Sequence, residues 1–92
     1  MSTLTHPDLH VSATVFTSPG CVQCDFTKRH LDKLGVAARF IDVSESPDAA
    51  AFLRAEGFAS LPVVFPADNR VPAWTGFRPV LLDKLAKAVT AA

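Results

Sequence analysis

Cys21 and Cys24 are the only thiols in a chain of 92 residues, and they stand in the stretch Gly20-Cys21-Val22-Gln23-Cys24. An apolar, β-branched run, Thr14-Val15-Phe16-Thr17, ends just before them at Ser18-Pro19-Gly20, and a helix-like pattern begins just after. Two thiols with two residues between them, at a strand-to-helix junction, suit thiol–disulfide exchange. Exchange needs a thiolate, and a free cysteine is mostly protonated at neutral pH. A cysteine at a helix start faces unpaired backbone N–H groups and the positive end of the macrodipole, and both favour the anion. Cys21 is therefore the expected attacking thiol, titrating below a free cysteine. Cys24, one helical turn on, is expected to be less exposed and to act second. Cys21 attacks a partner disulfide; Cys24 then attacks Cys21 and releases the reduced partner.

The same pair could be half of a zinc site. Zinc normally takes four ligands, and the remaining candidates are His6, His10 and His30. His6 precedes the first expected strand, His10 stands at its start, and none has the usual paired spacing, so the redox reading is preferred and no metal is expected.

The rest of the chain sets bounds. Its length implies one domain, with residues 10–90 forming the redox domain and residues 1–9, polar and aperiodic, a flexible leader. Nine basic and nine acidic residues cancel, which argues against nucleic acid or an anionic membrane as the main partner. No apolar run approaches the ~20 residues that cross a bilayer. The first residues lack the basic and apolar segments of a secretory signal. A cytoplasmic location follows as the expectation, where two cysteines are more often catalytic or metal-binding than structural.

The elements that must position the thiols can be read in order. His10 to Thr17 has apolar residues on both alternation sets, as a central strand does. Cys21 to Leu34 follows as a helix ended by Gly35, and Val36 to Val43 as a second strand. Ser46 and Pro47 open a second helix that ends near Gly57, with Phe52 and Leu53 facing inward. Leu61 to Phe65 is a third strand, Ala67-Asp68-Asn69 a turn, and Arg70 to Trp74 a fourth strand placed at a sheet edge by Pro72. Pro79 starts the last helix, whose inward set is Leu81, Leu82, Leu85, Ala88 and Val89. The order β-α-β-α-β-β-α is that of a minimal thioredoxin/glutaredoxin-like α/β fold, a four-stranded mixed sheet with helices on both faces.

Two further features bear on the site. A proline opening an interior strand, Leu61-Pro62, is by base rate a trans bond. The thioredoxin-like order reverses that expectation. There a cis proline beside the cysteines leaves the preceding main chain free to pair with an incoming peptide, a role that falls to Leu61. The segment Trp74-Thr75-Gly76-Phe77-Arg78-Pro79 either packs its two aromatics into a strand–helix junction or flanks the redox site and shapes what docks there.

Cys21-Val22-Gln23-Cys24, Leu61-Pro62-Val63-Val64 and Trp74-Thr75-Gly76-Phe77-Arg78-Pro79 together resemble the NrdH-redoxin family, small glutaredoxin-like proteins that behave like thioredoxins. The resemblance runs from about Ala13 to about Leu85. It implies catalysis by Cys21 and Cys24, with Val22, Gln23, Leu61, Pro62, Trp74, Thr75, Gly76, Phe77 and Arg78 at the partner-binding surface. It implies electron delivery to the catalytic subunit of class Ib ribonucleotide reductase, and re-reduction by thioredoxin reductase, a flavoenzyme using NADPH. No bound cofactor is implied, and a monomer is expected. The late segment is expected to form a hydrogen-bonded loop beside the active site. Glutathione-dependent glutaredoxins usually carry C-P-Y-C and an acidic Gly-Gly segment before the last helix; here that stretch has one glycine and no acid.

Departures from the family pattern are Thr75 for the commoner serine, Val80 where an acid is frequent, Pro19-Gly20 before Cys21, and a longer leader. None touches the redox pair. A glutathione- or mycothiol-dependent glutaredoxin is the nearest alternative, and a zinc-binding or redox-sensing module the alternative of another class.

Overall fold

The computed structural model describes residues 11–68 and 70–91. The leader, residues 1–9, lies outside the described residues, as do His10, the expected start of the first strand, and Asn69 of the expected turn. Strand β1 (Ala13–Thr17) leads into helix α1 (Val22–Leu34), then strand β2 (Ala38–Asp42). A single tight turn, Val43–Glu45, joins β2 to helix α2 (Pro47–Ala55), and strands β3 (Val63–Pro66) and β4 (Trp74–Thr75) precede helix α3 (Pro79–Ala91).

The sheet order is β2-β1-β3-β4. The β1–β2 pair is parallel and the β1–β3 and β3–β4 pairs are antiparallel, so the sheet is mixed. The run Val15-Phe16, apolar on both alternation sets, sits in the middle as its pattern requires. Val15 and its cross-strand partner Val64 point one way, into a core with Leu31 of α1, Leu82 and Leu85 of α3, and Trp74. Phe16 and its partner Val63 point the other way, against Leu53 of α2. Helices thus cover both faces, and the fold is thioredoxin/glutaredoxin-like.

Local chemistry fixes the ends of the helices. Gly35 takes a left-handed conformation (φ 71°), and its N–H donates to the carbonyls of Asp32 and Leu31, closing α1. Ser46 Oγ accepts the Ala49 N–H at 3.2 Å, and Pro47 fills the first position of α2, where no N–H is needed.

Three expectations need correction. The fourth strand is Trp74–Thr75, not Arg70 to Trp74. Asp68 explains this: its carboxylate accepts the Arg70 N–H at 2.9 Å, and its carbonyl accepts the Val71 N–H at 3.0 Å. Those amides are spent on the turn, and Pro72 has none, so no ladder forms until Trp74. Phe52 was expected inward but is 45% exposed. One step along a helix rotates a side chain by about 100°, so α2 seats Leu53 and leaves Phe52 at the margin, against Phe16 and Phe65. Val89, assigned to the inward set of the last helix, is exposed.

Candidate active site

Cys21 occupies the N-cap of α1 with extended backbone, and its Sγ accepts the N–H of Cys24 at 3.2 Å. A thiol at an N-cap does what a serine hydroxyl does there: it takes up an N–H that the helix leaves unpaired. That hydrogen bond and the macrodipole both favour negative charge on Cys21 once it is reduced. The two cysteines form a disulfide, with Cα atoms 5.2 Å apart. Cys21 is half-buried while Cys24 is only 3% exposed, so an incoming molecule reaches Cys21 first. Val22 and Gln23, between them, are exposed.

Helix α1 presents the pair because its inner side is held firmly. Cys24, Thr27 and Leu31 are its buried residues. Thr27 is a polar residue in an apolar contact, and it is satisfied: its hydroxyl donates to the Gln23 carbonyl at 2.8 Å.

The late segment closes around the same point. Phe77 N–H donates to Gln23 Oε1 at 3.0 Å. Gly76 N–H donates to the Pro62 carbonyl at 2.8 Å. The Thr75 hydroxyl lies 2.9 Å from the Ser60 carbonyl and 3.1 Å from the Pro62 carbonyl. It has one proton for the two, and Ser60 Oγ, 3.0 Å away, can donate back to it. Gly76 has φ 91°, a region open mainly to glycine, and a Cβ there would meet Gln23 Oε1 at 3.4 Å. The three sequence motifs are therefore one hydrogen-bonded unit: Gln23 to Phe77, Gly76 to Pro62, and Thr75 to Ser60.

Leu61-Pro62 is a cis bond. Leu61 is half-buried and lies beyond the last registered pair of β3 with either neighbouring strand. Arg78 is exposed and Phe77 half-buried at the same loop. Trp74 stands apart from its segment. It is 7% exposed and belongs to the core under α1 and α3, so it anchors the loop from beneath instead of facing a partner. Four participants were not assigned to this loop from the sequence, where His30 figures only as a candidate zinc ligand. Ser60 braces Thr75. Phe26 and His30 contact the Phe77 ring. Asp83 of α3 holds His30 at 2.9 Å. The available signal was the spacing of Gln23, Phe26 and His30, which puts all three on one side of a helix.

Among the described residues no group of three or more His, Cys, Asp or Glu comes together as a metal site. No helix among them is long and apolar enough to cross a membrane.

The glutaredoxin family model matches residues 13–71. The glutaredoxin-like protein NrdH of Escherichia coli K12 is 43% identical over 79 residues, which cover 86% of this chain and 94% of that protein. The NrdH protein of Lactococcus lactis subsp. cremoris is 34% identical over 73 residues, 79% of this chain and 97% of the relative. The chain belongs to the NrdH-redoxins, within the glutaredoxin family. The solved structure of E. coli NrdH-redoxin superposes with a TM-score of 0.74 at 42% identity, covering 79% of this chain and 92% of that one. Chloroplastic thioredoxin z matches with a TM-score of 0.64 at 25% identity, over 92% of this chain and 83% of its own. The family model ends before Trp74, whereas the NrdH matches span most of the chain. Like other NrdH-redoxins, the protein is a thiol–disulfide oxidoreductase and electron carrier, with Cys21 and Cys24 as its redox-capable pair.

Proposed function

We propose that this redoxin reduces a protein disulfide of class Ib ribonucleotide reductase, at the catalytic subunit, and is itself reduced by thioredoxin reductase at the expense of NADPH. It does so in the cytoplasm, as a monomer with no bound cofactor. The supporting observation is the hydrogen-bonded unit of Gln23, Phe77, Gly76 and Pro62, built on a stretch, Thr75 to Arg78, that has one glycine and no acid to offer glutathione. The E. coli relative, whose solved structure is described as the basis of a thioredoxin-like activity profile, supports the same reading.

The chemistry runs in two balanced displacements. The Cys21 thiolate attacks one sulfur of the partner disulfide, forming a mixed disulfide and expelling the other partner sulfur as a thiolate. Cys24, losing its proton, attacks Cys21 Sγ; the internal disulfide forms and the second partner thiolate leaves. Two electrons pass to the partner, and its two thiolates take up two protons. Leu61, half-buried and ahead of the first residue of β3, offers main chain for an extended partner segment beside the thiols.

The test is insulin disulfide reduction by purified protein in two arms, one with NADPH and thioredoxin reductase, the other with glutathione and its reductase. Turnover in the first arm, followed by support of a class Ib reductase, is expected. Activity confined to the glutathione arm would refute the proposal.

A further inference from the structure

We infer that His30 is a positioning residue for this reaction, holding the Phe77 loop beside the cysteines by tying α1 to α3. Gln23, Phe26 and His30 follow one another at i, i+3 and i+7 along α1, on one side of the helix. All three address a single loop residue. Gln23 Oε1 accepts the Phe77 N–H. The Phe26 ring lies 5.7 Å from the Phe77 ring, centroid to centroid, and the His30 ring meets it edge-on at 5.9 Å. Phe77 is thus gripped at its main chain by one α1 residue and at its ring by two.

His30 is in turn fixed from α3. Its Nε2 lies 2.9 Å from Asp83 Oδ1, and because an ionised carboxylate only accepts, Nε2 carries the proton. The contact is partly exposed, so it adds little to stability by itself. Its effect is orientational: an imidazole held at Nε2 keeps its edge on Phe77. The same bond joins the helix that carries the thiols to the helix that the Phe77 loop leads into. A protein disulfide docking on the exposed Val22–Gln23 turn meets this loop, whereas a small disulfide needs only Cys21 Sγ.

The inference rests on the dithiol–disulfide activity and not on which protein is the physiological substrate. Single-turnover oxidation of the pre-reduced protein tests it, with insulin and with 2-hydroxyethyl disulfide as alternative oxidants. His30→Ala should slow the insulin reaction by about 2- to 10-fold, the range that one aromatic contact carries, through its concentration dependence and not its saturating rate. The small disulfide should react at the parent's rate. Asp83→Asn, which keeps the shape of the side chain, should give the same pattern with a smaller loss. His30→Ala combined with Phe77→Ala should be no slower than Phe77→Ala alone, because His30 acts through that ring. Equal loss with both oxidants, no loss with insulin, or additive losses in the double variant would overturn the inference. A parent protein that reduces neither oxidant would overturn the activity, and the inference with it.

Discussion

Cys21 combines two roles that usually fall to different residues, helix cap and nucleophile. Because the Cys24 N–H points at its sulfur, the reduced protein should show a thiolate forming below the ~8.5 of free cysteine. Thiolate absorbance followed against pH, with Cys24→Ser to isolate the signal, checks this; a midpoint at or above the free value would mean that the helix start contributes nothing. A second residue-scale expectation concerns Asp68. Hydrogen bonds from the Arg70 guanidinium and N–H, with its positive charge, lower this carboxyl to about 2. A depressed folded-state value means that any stabilisation is present above the unfolded value, near 4, and is lost as pH falls through about 2. The pair is exposed and its contribution correspondingly slight. Arg70→Ala should move the Asp68 midpoint upward toward the ordinary carboxylate range, read by NMR titration; an unchanged midpoint would reassign the cause.

At the scale of elements, the site depends on a two-residue strand and the loop that follows it. Strand β4 is too short to hold Gly76 and Phe77 by ladder pairing alone, so Thr75 supplies a side-chain tie to the carbonyls of Ser60 and Pro62. Thr75→Val keeps the shape and removes the hydroxyl. It should cost about 1 kcal/mol of stability, the ordinary net value of one hydrogen bond, measured by urea unfolding, and should slow insulin reduction more than it slows a small disulfide. Thr75→Ser should retain both properties. If Thr75→Val leaves stability and insulin reduction untouched, the loop is held by Gly76 and Gln23 without it. Helix α1 shows the complementary case, in which stability comes from burying Cys24, Thr27 and Leu31 and reactivity from leaving Cys21 at the end of that buried line.

The whole molecule is legible in the sequence to the extent that its signals are local. Val15-Phe16, apolar on both alternation sets, announces a strand covered on both faces. Gly35, Ser46 and Pro47 announce helix ends because capping is decided within a few residues. The length of β4 was misjudged because the amides of Arg70 and Val71 are taken by Asp68, a local competition that β-propensity does not register. The cis bond at Leu61-Pro62 was anticipated only through the thioredoxin-like order of elements, since the dipeptide alone favours trans. The contacts of Gln23 with Phe77 and of His30 with Asp83 join residues far apart in the chain, so no local pattern encodes them. The cysteines were legible in spacing, and the lesser exposure expected of Cys24, one helical turn behind Cys21, is what the packed helix shows.

Electron delivery of this kind requires the outer sulfur to strike first and the inner one to finish. The most direct measurement is mass spectrometry of Cys24→Ser after reaction with a disulfide-bonded protein substrate. A one-to-one adduct joined through Cys21, stable until an added thiol releases it, is the predicted result. No adduct, or capture by Cys21→Ser through Cys24 instead, would contradict the assigned order.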